Sequence, residues 1–288
     1  MQARKPWPRG RKAVALHSAD VEANGLKGRI LWADGTPAPG PDAAAGTAAP
    51  AYILIHGIGV SHRYLRRLHR ELAAVAPTYS LDLPGFAATP KPGRQLSVAD
   101  YGAFIAQALK AGGISSYILV GHSMGVQFAI ESALYAPGQA RRLVLMGPVV
   151  DSRHRSVLRQ GLALFLDALL RENASSNWLV FSDYFRCGPR WYFTELPVMM
   201  SYPTESRLAG VNVPVLVLRG NHDQVAGADW SLRLSQVVPQ GSFVEIPRAG
   251  HVAQHLRPRE VSEAIRSWAA PPIDASSGQR AVPAGEAP

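Results

Sequence analysis

The sequence predicts an α/β fold in which helices flank a mostly parallel, twisted β-sheet and a helical cap is inserted over that sheet. Three observations support this prediction. Short β-prone runs alternate along the chain with longer segments that carry apolar residues at helical spacing. The 288 residues are 47% apolar, which is enough to bury a large core. One segment, residues 148–208, interrupts the alternation with a different composition.

The residues before position 51, where strands and helices begin to alternate, predict a tail, a strand pair and a loop. Residues 1–12 are basic with little to bury, so we expect a flexible tail. Two β-prone runs, residues 13–17 and 28–32, stand on either side of the turn signal Asn24-Gly25 and predict an antiparallel pair. Residues 33–50 are rich in Ala, Gly and Pro and lack periodicity, which is typical of a surface loop.

The alternating part of the chain begins with a strand and ends with a helix. The predicted strands cover residues 51–55, 78–83, 117–120, 142–146, 214–218 and 243–246. The predicted helices cover residues 63–76, 98–109, 126–135 and 252–268. In the first of these helices, Leu65, Leu68, Leu72 and Val75 share one face, which we expect to be buried.

The inserted segment is rich in large apolar side chains. Its residues 157–170 predict a strongly apolar helix. The stretch after that helix contains Trp178, Phe181, Tyr184, Phe185, Trp191, Tyr192 and Phe193. We expect a helical cap that roofs an apolar pocket. The predicted organisation is a flexible basic tail (1–12), a core (13–147 and 209–270), a cap (148–208) and a disordered tail (271–288).

Composition and charge exclude several classes of function. The formal net charge is +9, but five cationic residues lie in the first twelve positions and the others lack aromatic interleaving, so we expect no nucleic-acid partner. Cys187 is the only cysteine, which rules out an internal disulfide and leaves a Cys-based zinc site unsupported. No apolar run reaches the length of about 18 residues that a membrane span needs, and none suits a signal peptide, so we expect a cytoplasmic protein.

The most informative motif is the pentapeptide Gly121-His122-Ser123-Met124-Gly125. It lies between the strand predicted at 117–120 and the helix predicted at 126–135, so Ser123 stands at the apex of a tight strand-to-helix turn. Glycines two residues to either side remove Cβ atoms that would clash as the backbone doubles back. This context predicts that Ser123 is a nucleophile and that the backbone N–H of Met124 is one donor to a developing oxyanion.

Phosphate-binding motifs are absent from the sequence. Gly57 and Gly59 follow a predicted strand, but the third glycine of a dinucleotide fingerprint would fall at position 62, which is His62. A Gly-x-x-x-x-Gly-Lys-Ser/Thr loop does not occur either. We therefore expect no nucleotide cofactor.

A serine hydroxyl needs a base to take its proton and a third group to orient that base. His251 is the candidate base, because it opens a loop after the last predicted strand, at the same end of a parallel sheet as Ser123. Asp223 is the candidate orienting acid, because it leaves the preceding strand at that end. Asp151, after an earlier strand, remains an alternative acid, and His122 a weak alternative base.

Four motifs then occur in a fixed order: His56-Gly57-Ile58-Gly59, the Ser123 elbow, Gly220-Asn221-His222-Asp223 and Ala249-Gly250-His251. In this order the chain resembles the α/β-hydrolase fold superfamily, in its branch of serine esterases and cofactor-free haloperoxidases, over roughly residues 13–270. The resemblance implies that the second oxyanion donor is the backbone N–H of Ile58. It also implies the chain order Ser, Asp, His for the catalytic residues.

These residues predict a serine hydrolase that cleaves a carboxylic ester of an apolar small molecule through an acyl-enzyme intermediate. No cofactor is expected. No metal is expected either: His251 and His255 have helical metal-ligand spacing, but the glutamate of a zinc protease is missing between them. Arg186 and Arg190 could receive an acidic substrate, although solvated charges are favoured, and Asp82 is expected to fix a turn.

Three alternatives remain open. Carbon-carbon bond hydrolases of this superfamily usually have Asn before the serine and Trp after the histidine, where this chain has His122 and Val252. Cofactor-free haloperoxidases resemble the pattern closely. A non-catalytic small-molecule receptor could also keep the fold and the triad. Haloalkane dehalogenases and epoxide hydrolases carry Asp at the elbow, so Ser123 argues against both.

Overall fold

A computed structural model describes residues 15–40, 50–153 and 174–270. Within these residues the chain forms eight strands and nine helices. The strands are β1 (Leu16–Ala23), β2 (Leu26–Ala33), β3 (Ala51–Ile55), β4 (Thr78–Asp82), β5 (Tyr117–His122), β6 (Ala140–Met146), β7 (Val215–Gly220) and β8 (Gly241–Ile246). The helices are α1 (His62–Ala73), α2 (Val98–Ala111), α3 (Gly125–Tyr135), α4 (Ala174–Cys187), α5 (Pro189–Ser201), α6 (Thr204–Leu208), α7 (Ala228–Gln236), α8 (Ala253–Leu256) and α9 (Pro258–Ala269).

The described strands form one mostly parallel sheet, as predicted. Their order is β1-β2-β4-β3-β5-β6-β7-β8. The pairs β1/β2 and β2/β4 are antiparallel, and all pairs from β4 to β8 are parallel. Because parallel strands share a direction, the loops that follow β3, β5, β6, β7 and β8 meet at one edge of the sheet.

The predicted strand pair is present but longer than the sequence indicated. β1 continues to Ala23 rather than stopping at His17, and it pairs with β2 directly across the turn. Asn24 and Gly25 both have positive φ, 52° and 71°, which is the backbone of a tight two-residue hairpin turn. Most residues of β1 are exposed, so this strand has no apolar run that marks its full length. The turn signal Asn24-Gly25 indicated the strand pair more clearly.

Each central strand buries both faces, because helices cover the sheet on both sides. In β3, Ile53 and Ile55 belong to one apolar cluster, which includes side chains of α2 and α3. The alternate residues Tyr52 and Leu54 belong to a second cluster, which includes side chains of α1 and α9. This alternation explains why the strands read as continuous apolar runs.

Two predicted helices end or break earlier than expected. α1 ends at Ala73, so Val75 lies beyond it and is 50% exposed instead of sharing the buried face of Leu65. The last predicted helix, 252–268, is two helices, because Pro258 has no N–H to donate and restricts the residue before it. Arg257 accordingly leaves the helical conformation, with φ −129° and ψ 51°.

Three of the described helices, α4, α5 and α6, lie between β6 and β7 in the chain, where the sequence predicted a helical insertion. One anchor of this segment is an ion pair, in which Arg207 donates to both carboxylate oxygens of Glu131 at 2.6 and 2.8 Å. The predicted helix at 157–170 and the two predicted tails lie outside the described residues. The described helices include none that combines the length and apolarity needed to cross a bilayer.

Candidate active site

The turn after β5 has the strained geometry that the pentapeptide predicted. Ser123 has φ +56°, a conformation that L-residues rarely adopt, and its N–H donates to the Met146 carbonyl at 3.0 Å. A Cβ on Gly121 would strike the carbonyl oxygen of Gly125, and a Cβ on Gly125 would lie 2.5 Å from the Ile55 carbonyl oxygen. The two glycines are therefore required by close packing, and Ser123 is held at the edge where the loops meet.

Asp223 and His251 meet at the same edge. Nδ1 of His251 lies 3.0 Å from Oδ2 of Asp223, and both side chains are buried. The other carboxylate oxygen of Asp223, Oδ1, accepts from the N–H groups of Val225 and Ala226 at 2.8 and 2.9 Å. The carboxylate is thus fixed by its own loop before it contacts the imidazole.

The hydrogen bonds of Asp223 determine its charge. Burial alone would raise the pKa of this carboxyl, but the charge of His251, its hydrogen bond and the two loop amides together lower the pKa below its ordinary value. An ionised Asp223 accepts the Nδ1 proton of His251, so Nε2 is the nitrogen that can take up a proton.

Gly147 allows this pair to form beside the sheet. It follows β6 with φ +53°, and a Cβ there would lie 3.1 Å from two ring atoms of His251 and 3.3 Å from Asp223 Oδ2. A larger residue at position 147 would therefore press on both members of the pair. The sequence contained no signal for this role.

The loop after β3 approaches the elbow closely. A Cβ on Gly57 would lie 2.9 Å from Cβ and 3.3 Å from Oγ of Ser123. His56 holds this loop: its Nε2 accepts from the Leu83 N–H at 3.1 Å, and its Nδ1 lies 2.8 Å from the Gly57 carbonyl. Burial lowers the pKa of His56, so the ring is neutral and Nδ1 carries the proton donated to that carbonyl.

The hydrogen bond from His56 to the Gly57 carbonyl orients the next N–H of the loop, that of Ile58. No cis peptide bond occurs among the described residues, so the Ile58 N–H points opposite to the Gly57 carbonyl. The carbonyl faces His56, and the Ile58 N–H is directed away from that ring. The family resemblance predicted Ile58 as an oxyanion donor, but nothing in the sequence indicated the hydrogen bond between His56 and the Gly57 carbonyl.

The inserted helices contact this loop through aromatic rings. A Cβ on Gly59 would lie 2.7 Å from the Tyr184 ring and 2.9 Å from the Tyr192 ring, and these two rings lie 5.4 Å apart. Trp191 packs similarly against Gly85, after β4. Three other aromatic residues of the predicted roof are exposed: Trp178, Phe185 and Phe193.

Hydrogen bonds attach α4 to the same region. Asp183 accepts from the Ser61 hydroxyl at 2.5 Å and from Arg63 at 2.7 Å, and Ser61 also caps the start of α1. The helix that begins just after the Gly57–Gly59 loop is therefore joined to the inserted segment.

The alternative acid, Asp151, and the two arginines of the inserted segment have surroundings of their own. Asp151 forms an ion pair with Arg233 at 2.6 Å, and His251 is paired with Asp223. Arg190 lines a cleft with Lys91 and Arg94, and Arg186 is exposed. In the described ranges, no cluster of three or more His, Cys, Asp or Glu side chains could hold a metal ion.

The expectation for Asp82 needs correction. Its carboxylate does not close a turn at the sheet edge; it accepts from the backbone N–H of His62 and pairs with the ring of His62, both at 2.8 Å. Asp82 ties the end of β4 to the start of α1. The sequence suggested a turn role for Asp82 because the adjacent Leu83-Pro84-Gly85 carries a strong turn signal of its own.

Comparison with known proteins decides the family. A model of the alpha/beta hydrolase family matches residues 52–264, which is most of the chain. The chain belongs to this family. The predicted α/β-hydrolase fold is thereby confirmed, and the matched range includes Ser123, Asp223 and His251.

Two of the curated relatives of this alpha/beta hydrolase are named as a deacetylase and a hydrolase. Pyrrolizixenacetamide deacetylase from Xenorhabdus hominickii is 23% identical over 245 residues, which cover 76% of this chain and 90% of the relative. The 2-hydroxy-6-oxo-2,4-heptadienoate hydrolase from Pseudomonas putida is 27% identical over 270 residues, covering 81% and 93%. The crystal structure of carboxylesterase CesB from Bacillus subtilis has the same fold, with a TM-score of 0.69, 19% identity and coverage of 88% and 92%.

Proposed function

We propose that this alpha/beta hydrolase is a serine hydrolase that cleaves a carboxylic ester of an apolar small molecule through an acyl-enzyme intermediate. Ser123 is the nucleophile, His251 the general base and acid, and Asp223 the group that orients the imidazole. The backbone N–H groups of Ile58 and Met124 receive the oxyanion. The observation that carries this proposal is the buried hydrogen bond of 3.0 Å between His251 and Asp223, at the edge where Ser123 stands.

In acylation, Ser123 Oγ bonds to the ester carbonyl carbon while its proton moves to Nε2 of His251. The carbonyl oxygen becomes an oxyanion, and two fixed backbone donors stabilise it better than mobile water does. When the C–O bond breaks, the imidazolium returns its proton to the leaving alkoxide. Water then attacks the acyl-enzyme by the same route, which releases the acid and restores Ser123.

Asp223 supports this cycle in two ways. Its carboxylate holds the Nδ1 proton, so Nε2 is always the acceptor, and its negative charge stabilises the imidazolium that forms next to it. Both functions require an ionised carboxylate, and the lowered pKa of Asp223 provides one. The proposal needs no cofactor and no metal.

An apolar substrate is supported by the surroundings of the Gly57–Gly59 loop. The rings of Tyr184 and Tyr192 lie directly over Gly59, and Trp191 lies over Gly85. Aromatic rings next to a reacting carbonyl favour apolar acyl or alcohol groups. We expect these three residues to set the substrate length that the site accepts.

The first experiment is a panel of p-nitrophenyl esters of increasing acyl length, with wild type and Ser123→Ala. The proposal predicts a length optimum in kcat/KM for wild type and a loss of kcat of about 10⁶-fold in Ser123→Ala. Asp151→Asn is a matched control, because Asp151 forms an ion pair with Arg233 while Asp223 is the partner of His251, and this variant should leave kcat unchanged. Equal turnover by wild type and Ser123→Ala would refute the proposal.

A second candidate, a carbon-carbon bond hydrolase, is favoured by one observation. The Pseudomonas putida relative, a 2-hydroxy-6-oxo-2,4-heptadienoate hydrolase, matches 81% of this chain. Such a substrate offers a ketone to the same serine. Hydrolysis of a 2-hydroxy-6-oxodienoate with higher kcat/KM than any ester of the panel would identify this activity as the main one. Tight reversible binding of a small ligand without turnover of either would indicate a receptor.

A further inference from the structure

Tyr64, in the first turns of α1, lies between the two loops that the proposed reaction needs. Its side chain is fully enclosed, with 2% of the residue exposed. The hydroxyl accepts a hydrogen bond from the Gly57 N–H at 2.9 Å, and it lies 2.8 Å from Nδ1 of His122. One hydroxyl therefore bridges the loop that carries Ile58 and the elbow that carries Ser123.

His122 continues this chain of hydrogen bonds to the third loop. Its Nε2 lies 2.9 Å from the backbone carbonyl oxygen of His251, and the two imidazole rings are 4.8 Å apart. A carbonyl oxygen can only accept, so Nε2 of His122 carries a proton and donates it. Burial lowers the pKa of His122 to about 3, so the ring is neutral and Nδ1 is an acceptor.

The proton positions follow from these roles. The Gly57 N–H donates to Tyr64, the Tyr64 O–H donates to Nδ1 of His122, and Nε2–H of His122 donates to the His251 carbonyl. Burial also raises the pKa of Tyr64 well above its ordinary value, so its hydroxyl keeps the proton that it donates. Every donor in this series has an acceptor, and all three links run in one direction.

We propose that Tyr64 and His122 are positioning residues, which fix the loop of the oxyanion donor Ile58 and the loop of the base His251 relative to Ser123. The inference rests on the proposed function. It extends that function, because neither residue touches the reacting atoms; Tyr64 belongs to no motif, and the sequence offered His122 only as a weak alternative base.

The proposed reaction requires the Ile58 loop and the His251 loop to keep fixed positions relative to Ser123. The oxyanion donors have to lie about 2.7–3.1 Å from an oxygen that exists only after Ser123 has attacked. At the same time His251 has to be within proton-transfer reach of Ser123. The Ile58 donor follows β3 and the base follows β8, at the ends of strands that do not pair directly. A displacement of either loop by about 1 Å would cost roughly 100-fold in rate.

The neutral state of His122 is part of the inference. The ring of His122 lies beside the imidazole that becomes positively charged during acylation. A permanent charge at position 122 would oppose that imidazolium, whereas a neutral ring with one donor and one acceptor holds the His251 loop without opposing it.

Tyr64→Phe tests the bridge, because it removes one oxygen atom and keeps the ring. We expect kcat to fall about 10- to 100-fold, since two buried polar groups lose their common partner, while KM changes less than about threefold. Affinity for a trifluoromethyl ketone, which forms a tetrahedral adduct with the serine, should fall in parallel with kcat. Tyr117→Phe is the matched control, because it removes a buried hydroxyl at the opposite end of β5 and should leave kcat unchanged.

His122 provides the second variant. A glutamine amide offers one donor and one acceptor at about the spacing of the two ring nitrogens, whereas leucine fills the space without either. His122→Gln should therefore keep more of kcat than His122→Leu. If Tyr64→Phe does not fold, this pair of variants decides the inference.

The outcomes separate this inference from the proposed function. If a fluorophosphonate does not label wild type at Ser123, the proposed function fails and the inference fails with it. If wild type is labelled but Tyr64→Phe keeps kcat within about threefold, or His122→Leu equals His122→Gln, only the positioning role is overturned.

Discussion

The Asp223→Asn variant provides a sharp test of how the proposed base is oriented. Oδ1 of Asp223 accepts from two backbone N–H groups, of Val225 and Ala226, at 2.8 and 2.9 Å. Asparagine has to place its single oxygen there, because its NH₂ group would face two donors. The NH₂ group then takes the position of Oδ2 and points at Nδ1 of His251.

An NH₂ group opposite Nδ1 forces the imidazole into the wrong tautomer. Nδ1 becomes the acceptor, Nε2 carries the proton, and His251 can no longer take the proton of Ser123. We expect kcat to fall about 10⁴-fold, which corresponds to about 5.5 kcal/mol of transition-state stabilisation. KM should change little, because Asp223 is buried behind His251 and does not reach the substrate.

Two measurements check this prediction. Steady-state kinetics on the best p-nitrophenyl ester gives kcat and KM, and ¹⁵N NMR of the imidazole reports its tautomer. Asp229→Asn makes the same chemical change at an exposed position and should match wild type. A kcat for Asp223→Asn within about tenfold of wild type, or an imidazole that keeps its Nδ1 proton, would refute the assigned role of Asp223.

Three further predictions concern packing and pH. Gly57→Ala would place a Cβ 2.9 Å from the Ser123 side chain, so we expect the rate of ester hydrolysis to fall at least about tenfold. Gly121→Ala would press a methyl group against the backbone of the elbow, and soluble expression with a native circular dichroism spectrum would contradict this account. Burial raises the pKa of Glu195 from 4.5 to about 7, and its carboxylate accepts from the Leu96 N–H. Between pH 4.5 and about 7 the Glu195 carboxyl is ionised in the unfolded chain but still protonated in the folded protein, so the stability of the fold falls as the pH rises through this range. Glu195→Gln should therefore raise the melting temperature at pH 8 but not at pH 4, and equal shifts at both pH values would exclude this effect.

Much of the fold could be predicted because its signals are local. The central strands β3, β5 and β7 carry apolar runs that are buried on both faces, and the turn around Ser123 has a steric requirement for glycine that is visible in five residues. The placement of Asp223 and His251 after later strands of a parallel sheet was enough to expect them at the same edge. Their hydrogen bond of 3.0 Å agrees with that expectation.

Other features depend on contacts between distant parts of the chain. Tyr64 looks like one more apolar residue of a helix, and only the structure places its hydroxyl between Gly57 and His122. His56 and Gly147 likewise act through residues that are far away in sequence. Val75 fitted the helical periodicity of α1 but lies beyond the end of that helix.

The central claim is that Ser123 is a nucleophile activated by His251. The most direct measurement is mass spectrometry of the protein after incubation with a fluorophosphonate, followed by peptide mapping of the adduct. We expect one adduct on wild type, located on Ser123, none on Ser123→Ala, and much slower labelling of His251→Ala. An adduct at another residue, or labelling of His251→Ala at the rate of wild type, would contradict the account.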